Sequence, residues 1–164
     1  MMDGTLAEDL RTGERRTEGK RLGIPAPIAM LAELTHRCPL SCPYCSNPME
    51  LARKNTELDT ADWIRVFQEA ADLGVLQLHL SGGEPASRRD LVALVRAARE
   101  AGLYINLITS GIGLTQRRLA ELDAAGLDHI QLSLQGTDAA MADRIGGYAG
   151  GYARKMQVAA WMAE

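Results

Sequence analysis

Three cysteines, Cys38, Cys42 and Cys45, sit within eight residues in the run Thr35-His36-Arg37-Cys38-Pro39-Leu40-Ser41-Cys42-Pro43-Tyr44-Cys45, and the 164-residue chain has no others. An odd number of thiols cannot pair off as disulfides, and thiols this close together cannot be spread through a core as small hydrophobes. Thiolates are soft donors that favour zinc or iron–sulfur clusters over magnesium or calcium. Three of them can bind three irons of a cubane and leave the fourth iron open to a chelating ligand. The spacing is short enough for one loop to wrap one cluster, and Pro39 and Pro43 stiffen that loop against becoming a helix. The competing reading is a closed zinc site with His36 as fourth ligand, although structural zinc sites usually divide into two ligand pairs.

Other residues have types suited to a small polar ligand. Gly82-Gly83 lets the backbone approach a ligand closely, and Glu84, fixed by Pro85, offers a carboxylate to an ammonium group. Ser110, Ser133 and Gln135 offer hydroxyl and amide groups to ribose hydroxyls or a carboxylate. Tyr44, between two cysteines, can stack on an aromatic ring or cover the metal. Taken singly, the glycine pair more often makes a plain turn, and Ser110, Ser133 and Gln135 more often are satisfied strand-end polar groups. Met30, Met49, Met141, Met156 and Met162 read as packing residues, and Arg88 and Arg89 as the solvated start of a helix.

The elements that must position these groups show in the apolar pattern. Residues 28–34 read as a buried strand leading into the cysteine loop. Asp59 or Thr60 caps a helix carrying Trp63, Val66, Phe67 and Ala70 at core-facing spacing. Gly74 ends it, and residues 75–80 form the next strand. Ser87 with Asp90 resembles a capping box opening a helix that turns Leu91, Leu94, Val95 and Ala98 inward. A third strand over 103–108, a helix over 116–124 and a fourth strand over 129–134 follow. The result is βαβαβαβ with a further helix, an α/β fold of parallel strands joined by crossovers. In such sheets and barrels the ligand site lies at the carboxyl ends of the strands. The cysteine loop, Gly82-Gly83-Glu84-Pro85, Ser110 and Ser133-Gln135 all fall there.

Composition narrows the classes. A net charge of −3 and a pI near 5.7 provide no basic field for phosphate backbones, so no nucleic-acid partner is expected. No apolar run is long enough to cross a bilayer, and Met1-Met2-Asp3-Gly4 lacks the layout of a secretory signal. The expected compartment is a reducing cytoplasm. Residues 1–25 carry alternating charge, scattered glycine and almost no large apolar side chains, and read as a disordered extension. Residues 26–164 then form one domain.

The cysteine triplet with an aromatic before its last member, the Gly-Gly-Glu-Pro turn and the polar ends of the third and fourth strands resemble the radical S-adenosylmethionine (SAM) superfamily over about residues 28–136. Within it, the wording from Leu31 to Pro48, Gln131-Leu132-Ser133-Leu134-Gln135-Gly136, and Asp143-Arg144-Ile145-Gly146-Gly147 with Lys155 is similar to the PqqE family of pyrroloquinoline quinone (PQQ) biosynthesis. His36 stands where that family has an aromatic. The resemblance implies a partial (β/α) TIM-like barrel, about four βα units of six, in an oxidoreductase. Cys38, Cys42 and Cys45 would ligate a [4Fe–4S] cluster, and Gly82, Gly83 and Glu84 would hold the SAM amino group. Tyr44 would lie near adenine, with Ser110, Ser133 and Gln135 toward the ribose or carboxylate. Reductive cleavage of SAM gives a 5′-deoxyadenosyl radical, and the family uses it to crosslink Glu to Tyr in the precursor peptide PqqA. The implied partners are that peptide, the chaperone PqqD and an electron donor such as a flavodoxin.

The last two βα units and a cysteine-rich C-terminal domain do not follow in this sequence. The expectation is therefore an N-terminal fragment of low turnover, with an apolar face around Val158 to Trp161 left open. Two alternatives stand beside this reading. One is a different peptide-modifying or cofactor-maturing radical SAM enzyme, and the other is a non-enzymatic zinc-binding α/β interaction module.

Overall fold

A computed structural model describes residues 25–46 and 57–163. The expected disordered extension therefore lies, apart from Pro25, outside the described residues, as do Asn47, Pro48 and Met49. The strands are β1 (Ala29–Glu33), β2 (Gln77–Ser81), β3 (Tyr104–Thr109) and β4 (His129–Leu132). The helices are α1 (Thr60–Leu73), α2 (Leu91–Glu100), α3 (Gln116–Ala124), α4 (Ala139–Gly146) and α5 (Gly151–Met162).

All neighbouring strands pair in parallel in the order β1-β2-β3-β4. This winding is that of a partial TIM-like barrel, and it brings four strand ends to one rim. On one face of the two inner strands Leu78, Leu80, Ile105 and Leu107 have no exposed surface, whereas on the other face of β2 Gln77 is exposed and His79 and Ser81 are half-buried. Helix α1 turns Trp63, Phe67 and Ala70 inward, the two rings stacking with centroids 5.7 Å apart. Its Asp59 cap accepts from the Asp62 N–H, and Gly74 at φ 103° closes it in the left-handed conformation that glycine tolerates best. Leu91, Leu94, Val95 and Ala98 of α2 are wholly buried, as their spacing predicts.

Several expectations change. Ser87 does not open α2; it ends a short 3₁₀ turn, Pro85–Ser87, and Asp90 takes the cap position without a side-chain cap bond. The Asp90 carboxylate is already engaged, accepting from Arg88 Nη2 at 2.7 Å and from the Thr60 hydroxyl at 2.6 Å. Arg88 is correspondingly not a solvated helix start. It is 6% exposed and also donates to the Leu34 and Leu58 carbonyls, so it ties β1 to the entrance of α1. Val158 is buried and Trp161 packs on the core with Arg154 over its ring, so the apolar face expected to lie open is largely covered. Met30 packs as expected, but Met141, Met156 and Met162 are exposed.

The Arg88 guanidinium and the Thr60 hydroxyl hold the Asp90 carboxyl down at about 2, below its ordinary 3.8. A depressed carboxyl contributes stability that is complete above its unfolded value and disappears as pH falls through the folded one. Unfolding free energies from urea titrations are therefore expected to drop by up to about 2 kcal/mol between about pH 4 and pH 2, with that component absent in Asp90→Asn. An unchanged acid limb in the variant would show that the pair contributes nothing.

Candidate metal centre at the strand ends

Cys38, Cys42 and Cys45 all line a cavity of about 510 Å³ at the carboxyl rim of the sheet. Tyr44, Gly82, Gly83, Ser110, Ser133 and Gln135 line it too, and no Asp, Glu, Lys, Arg or His side chain is among the lining residues. The volume is in the range of small-molecule sites. Cys38 and Cys42 are half-buried, Cys45 is exposed, and none of the three is in a disulfide. Among the described residues no three Cys, His, Asp or Glu side chains converge tightly enough for a single metal ion. His36 does not line the cavity.

The glycine turn is stitched to the base of the cysteine loop. Gly83 N–H donates to the Thr35 carbonyl at 2.6 Å, and Glu84 N–H to the Arg37 carbonyl at 2.8 Å. A Cβ on Gly83 would stand 2.5 Å from the Arg37 carbonyl oxygen and 2.7 Å from that of His36. Gly82 combines φ 116° with a Thr35 backbone oxygen in the space a side chain would need. The two glycines thus serve contact with the cysteine loop first, and exposure to a ligand second. Gly83→Ala is expected to cost about 1–3 kcal/mol through overpacking against backbone that cannot yield, and to lower iron retention in parallel. Urea denaturation and iron content measured together check this; an alanine variant of native stability would contradict the packing.

Glu84 lies beneath the cavity, not in its lining. It is fully buried, and its carboxylate accepts from Ala86 N–H at 2.9 Å, the Thr109 hydroxyl at 2.6 Å, Ser110 N–H at 2.7 Å and the Ser110 hydroxyl. Four donors saturate it, so the expected carboxylate open to an ammonium group is not what the structure displays. Gly82 and Gly83 present their backbone there instead. Ser110 lines the cavity from β3 with its hydroxyl turned toward Glu84.

The loop is held from two further sides. Beneath it, Glu57 accepts from the Thr35 hydroxyl at 2.6 Å and His36 N–H at 3.1 Å, and pairs with Arg37 at 3.6 Å. Burial pushes the Glu57 carboxyl up, but the Thr35 hydroxyl and His36 N–H outweigh it and leave the carboxyl below its ordinary value. Above it, Ser41 N–H donates to the Gly146 carbonyl at 2.9 Å, so the α4–α5 hairpin rests on the residue before Cys42. Glu57 does not stand out in the sequence, where it is one charge among many. Burial pushes the Cys38 thiol up, with Glu84 and the other two thiols adding and the Leu40 N–H opposing.

Residues 32–164 match the Radical SAM superfamily. The chain is 74% identical over 143 residues to the PqqA peptide cyclase of Ruegeria pomeroyi, covering 87% of this chain and 38% of that protein. It is 67% identical over 138 residues to the PqqA peptide cyclase of Rhizobium meliloti, covering 84% of this chain and 37% of that protein. The chain thus spans somewhat over a third of the length of these curated relatives. Streptococcus suis SuiB bound to S-adenosylmethionine superposes with a TM-score of 0.74 at 23% identity, over 97% of this chain and 37% of SuiB, a likeness of fold.

Proposed function

The chain belongs to the radical SAM superfamily, and from that premise we propose that it carries the SAM-cleaving part of a peptide-modifying oxidoreductase, with PqqA-type precursor peptide as substrate. The family uses a [4Fe–4S] cluster and SAM. The donor set fits that cluster: three soft thiolates on one loop share a cavity that no Asp, Glu, Lys, Arg or His side chain lines. Cys38, Cys42 and Cys45 would hold it, and when bound it would supply the electron for cleaving SAM to methionine and a 5′-deoxyadenosyl radical. The protein's share is orientation, electrostatic surroundings and exclusion of water.

In this reading the backbone of Gly82 and Gly83 receives the amino group of SAM, with Glu84 bracing that turn from below. Tyr44 covers the adenine end, and Ser110, Ser133 and Gln135 address the ribose or carboxylate. The 5′-deoxyadenosyl radical would take one hydrogen atom from a glutamate of the peptide, and the Glu–Tyr carbon–carbon bond would form with loss of a proton from the tyrosine ring and return of one electron to an iron–sulfur cluster of the enzyme. PqqD presents the peptide and a flavodoxin-type protein donates electrons, in the cytoplasm. Among the described residues no helix is long and apolar enough to cross a membrane.

The observation that carries this reading is the convergence of all three thiols, the glycine turn and the ends of β3 and β4 on one cavity. Anaerobic reconstitution is expected to give a brown, oxygen-sensitive protein with about four irons per chain. Adding dithionite and SAM should release 5′-deoxyadenosine. One colourless zinc ion per chain would replace this reading by the zinc-binding module.

A further inference from the structure

Lys155 lies on α5 with 2% of its surface exposed. Its ammonium donates to the Ser133 carbonyl at 3.0 Å and to the Gln135 side-chain oxygen. Both partners line the cavity, and Lys155 stands directly behind them. Removing an ammonium from water is expensive, and an ion partner normally offsets the cost. Among the described residues no carboxylate lies within ion-pair distance of this one. The hairpin that carries it is rigidly placed. Asp143 accepts from Gly150 N–H at 2.6 Å and Tyr152 N–H at 2.7 Å, and Gly146 accepts from Ser41 N–H beside Cys42. One frame therefore holds both the cation and the cysteine loop.

We infer that Lys155 is a positioning residue of the cavity: its ammonium fixes Gln135 and the Ser133 carbonyl in the wall, and its charge is the buried counterpart of the negative thiolate-bound centre on the other side. The inference rests on the cluster-binding reading above. Burial lowers the affinity of Lys155 for its proton, while the nearby Cys42, Glu84, Cys38 and Asp143 act in the opposite direction, Cys42 foremost among them. Ionised thiols across the cavity therefore add to the compensation that Glu84 and Asp143 give the buried cation. Metal-bound thiols are ionised by definition. A positive charge at this range favours adding an electron to the centre, and the pinned Gln135 amide keeps its shape for the adenosyl ligand.

The test compares wild type, Lys155→Gln and Lys155→Arg after anaerobic reconstitution, read by iron content, an EPR-monitored reduction titration without SAM, and SAM binding. Lys155→Gln removes the charge but keeps a donor for the Ser133 carbonyl. It is expected to hold electrons about tenfold less tightly, about 59 mV lower for a one-electron couple, and to bind SAM about tenfold more weakly. Lys155→Arg should keep the wild-type potential. Equal potentials in wild type and the glutamine variant, at equal iron content, would overturn the inference. Should Lys155→Gln and Lys155→Met both fail to take up iron while Lys155→Arg loads fully, the charge requirement is upheld; failure of the arginine variant as well makes the requirement one of shape and overturns it. A wild-type protein that loads no cluster would instead strike down the functional reading beneath it.

Discussion

Cys38→Ser protein, reconstituted anaerobically, should come off the desalting column with iron at background level and without the brown absorbance of the wild type. The expectation follows from one sulfur serving one iron. Removing a thiolate leaves its iron without a protein donor, and a serine hydroxyl is a hard ligand poorly matched to that metal. Loss of one corner from a three-cysteine set is therefore not shared out among the other two, and SAM cleavage should fall to the uncatalysed level. Cys38 is the most telling of the three. It follows directly on the segment that Glu57, Gly83 and Glu84 pin to the sheet, so its position does not depend on the more exposed turn around Cys45. Its thiol also holds its proton to higher pH than an ordinary cysteine because it is partly buried. Metal uptake must expel that proton, so cluster assembly at fixed iron and sulfide should improve as pH rises toward the thiol range. The sign for the apo protein is opposite: a raised thiol adds stability below its unfolded value and loses it as pH climbs through the folded one. Full iron loading of Cys38→Ser would remove Cys38 from the ligand set.

The architecture was legible because its signals are local. Continuous apolar runs bounded by Gly74, Gly102 and Gly126 mark parallel strands and their crossovers, and the helix over 116–124 begins and ends where its spacing says. The cysteine spacing was equally plain, since three soft donors in one short loop have few other uses. The supports of the site were not legible, because each depends on residues distant in sequence. Arg88 reads as a charge at a helix start until β1 and the entrance to α1 bring the Leu34 and Leu58 carbonyls to its guanidinium. Lys155 enters the sequence reading only as part of a family resemblance, and its place behind the cavity wall shows only once α5 folds across the end of β4. Gly82 and Gly83 were recognised for the right property, a missing side chain, but the nearest body filling that space is the cysteine loop itself. Glu84 behaves in the same way: the sequence shows its type but not its direction. A carboxylate after a glycine pair can face out to a ligand or in to a neighbouring strand, and only the placement of Thr109 and Ser110 decides.

That inward direction gives Glu84 the largest expected effect on folding. Its carboxylate has no exposed surface and accepts four hydrogen bonds from three residues, two of them at the end of β3. Bonds to a charged acceptor are each worth about 1.5–3 kcal/mol, and a buried donor left unmade costs a similar amount. Glu84→Gln keeps the shape but turns an amide NH₂ toward one pair of donors. The Ser110 hydroxyl can rotate to accept from it, whereas the Ser110 backbone N–H cannot. The expected loss is about 3 kcal/mol, or about 6–12 °C in Tm for a domain of this size. Glu84→Ala, which orphans all four donors and opens a cavity, should lose more. SAM affinity should fall with stability, because Ser110 and the turn at Gly83 lose the anchor that sets them at the cavity wall. A carboxylate that instead reaches out to the ligand's ammonium would behave differently: Glu84→Gln would weaken SAM binding with Tm scarcely changed. Thermal melts of the apo protein beside SAM titrations of the reconstituted one separate the two roles, and an unshifted Tm would mean that Glu84 is not the brace that joins β2 to β3.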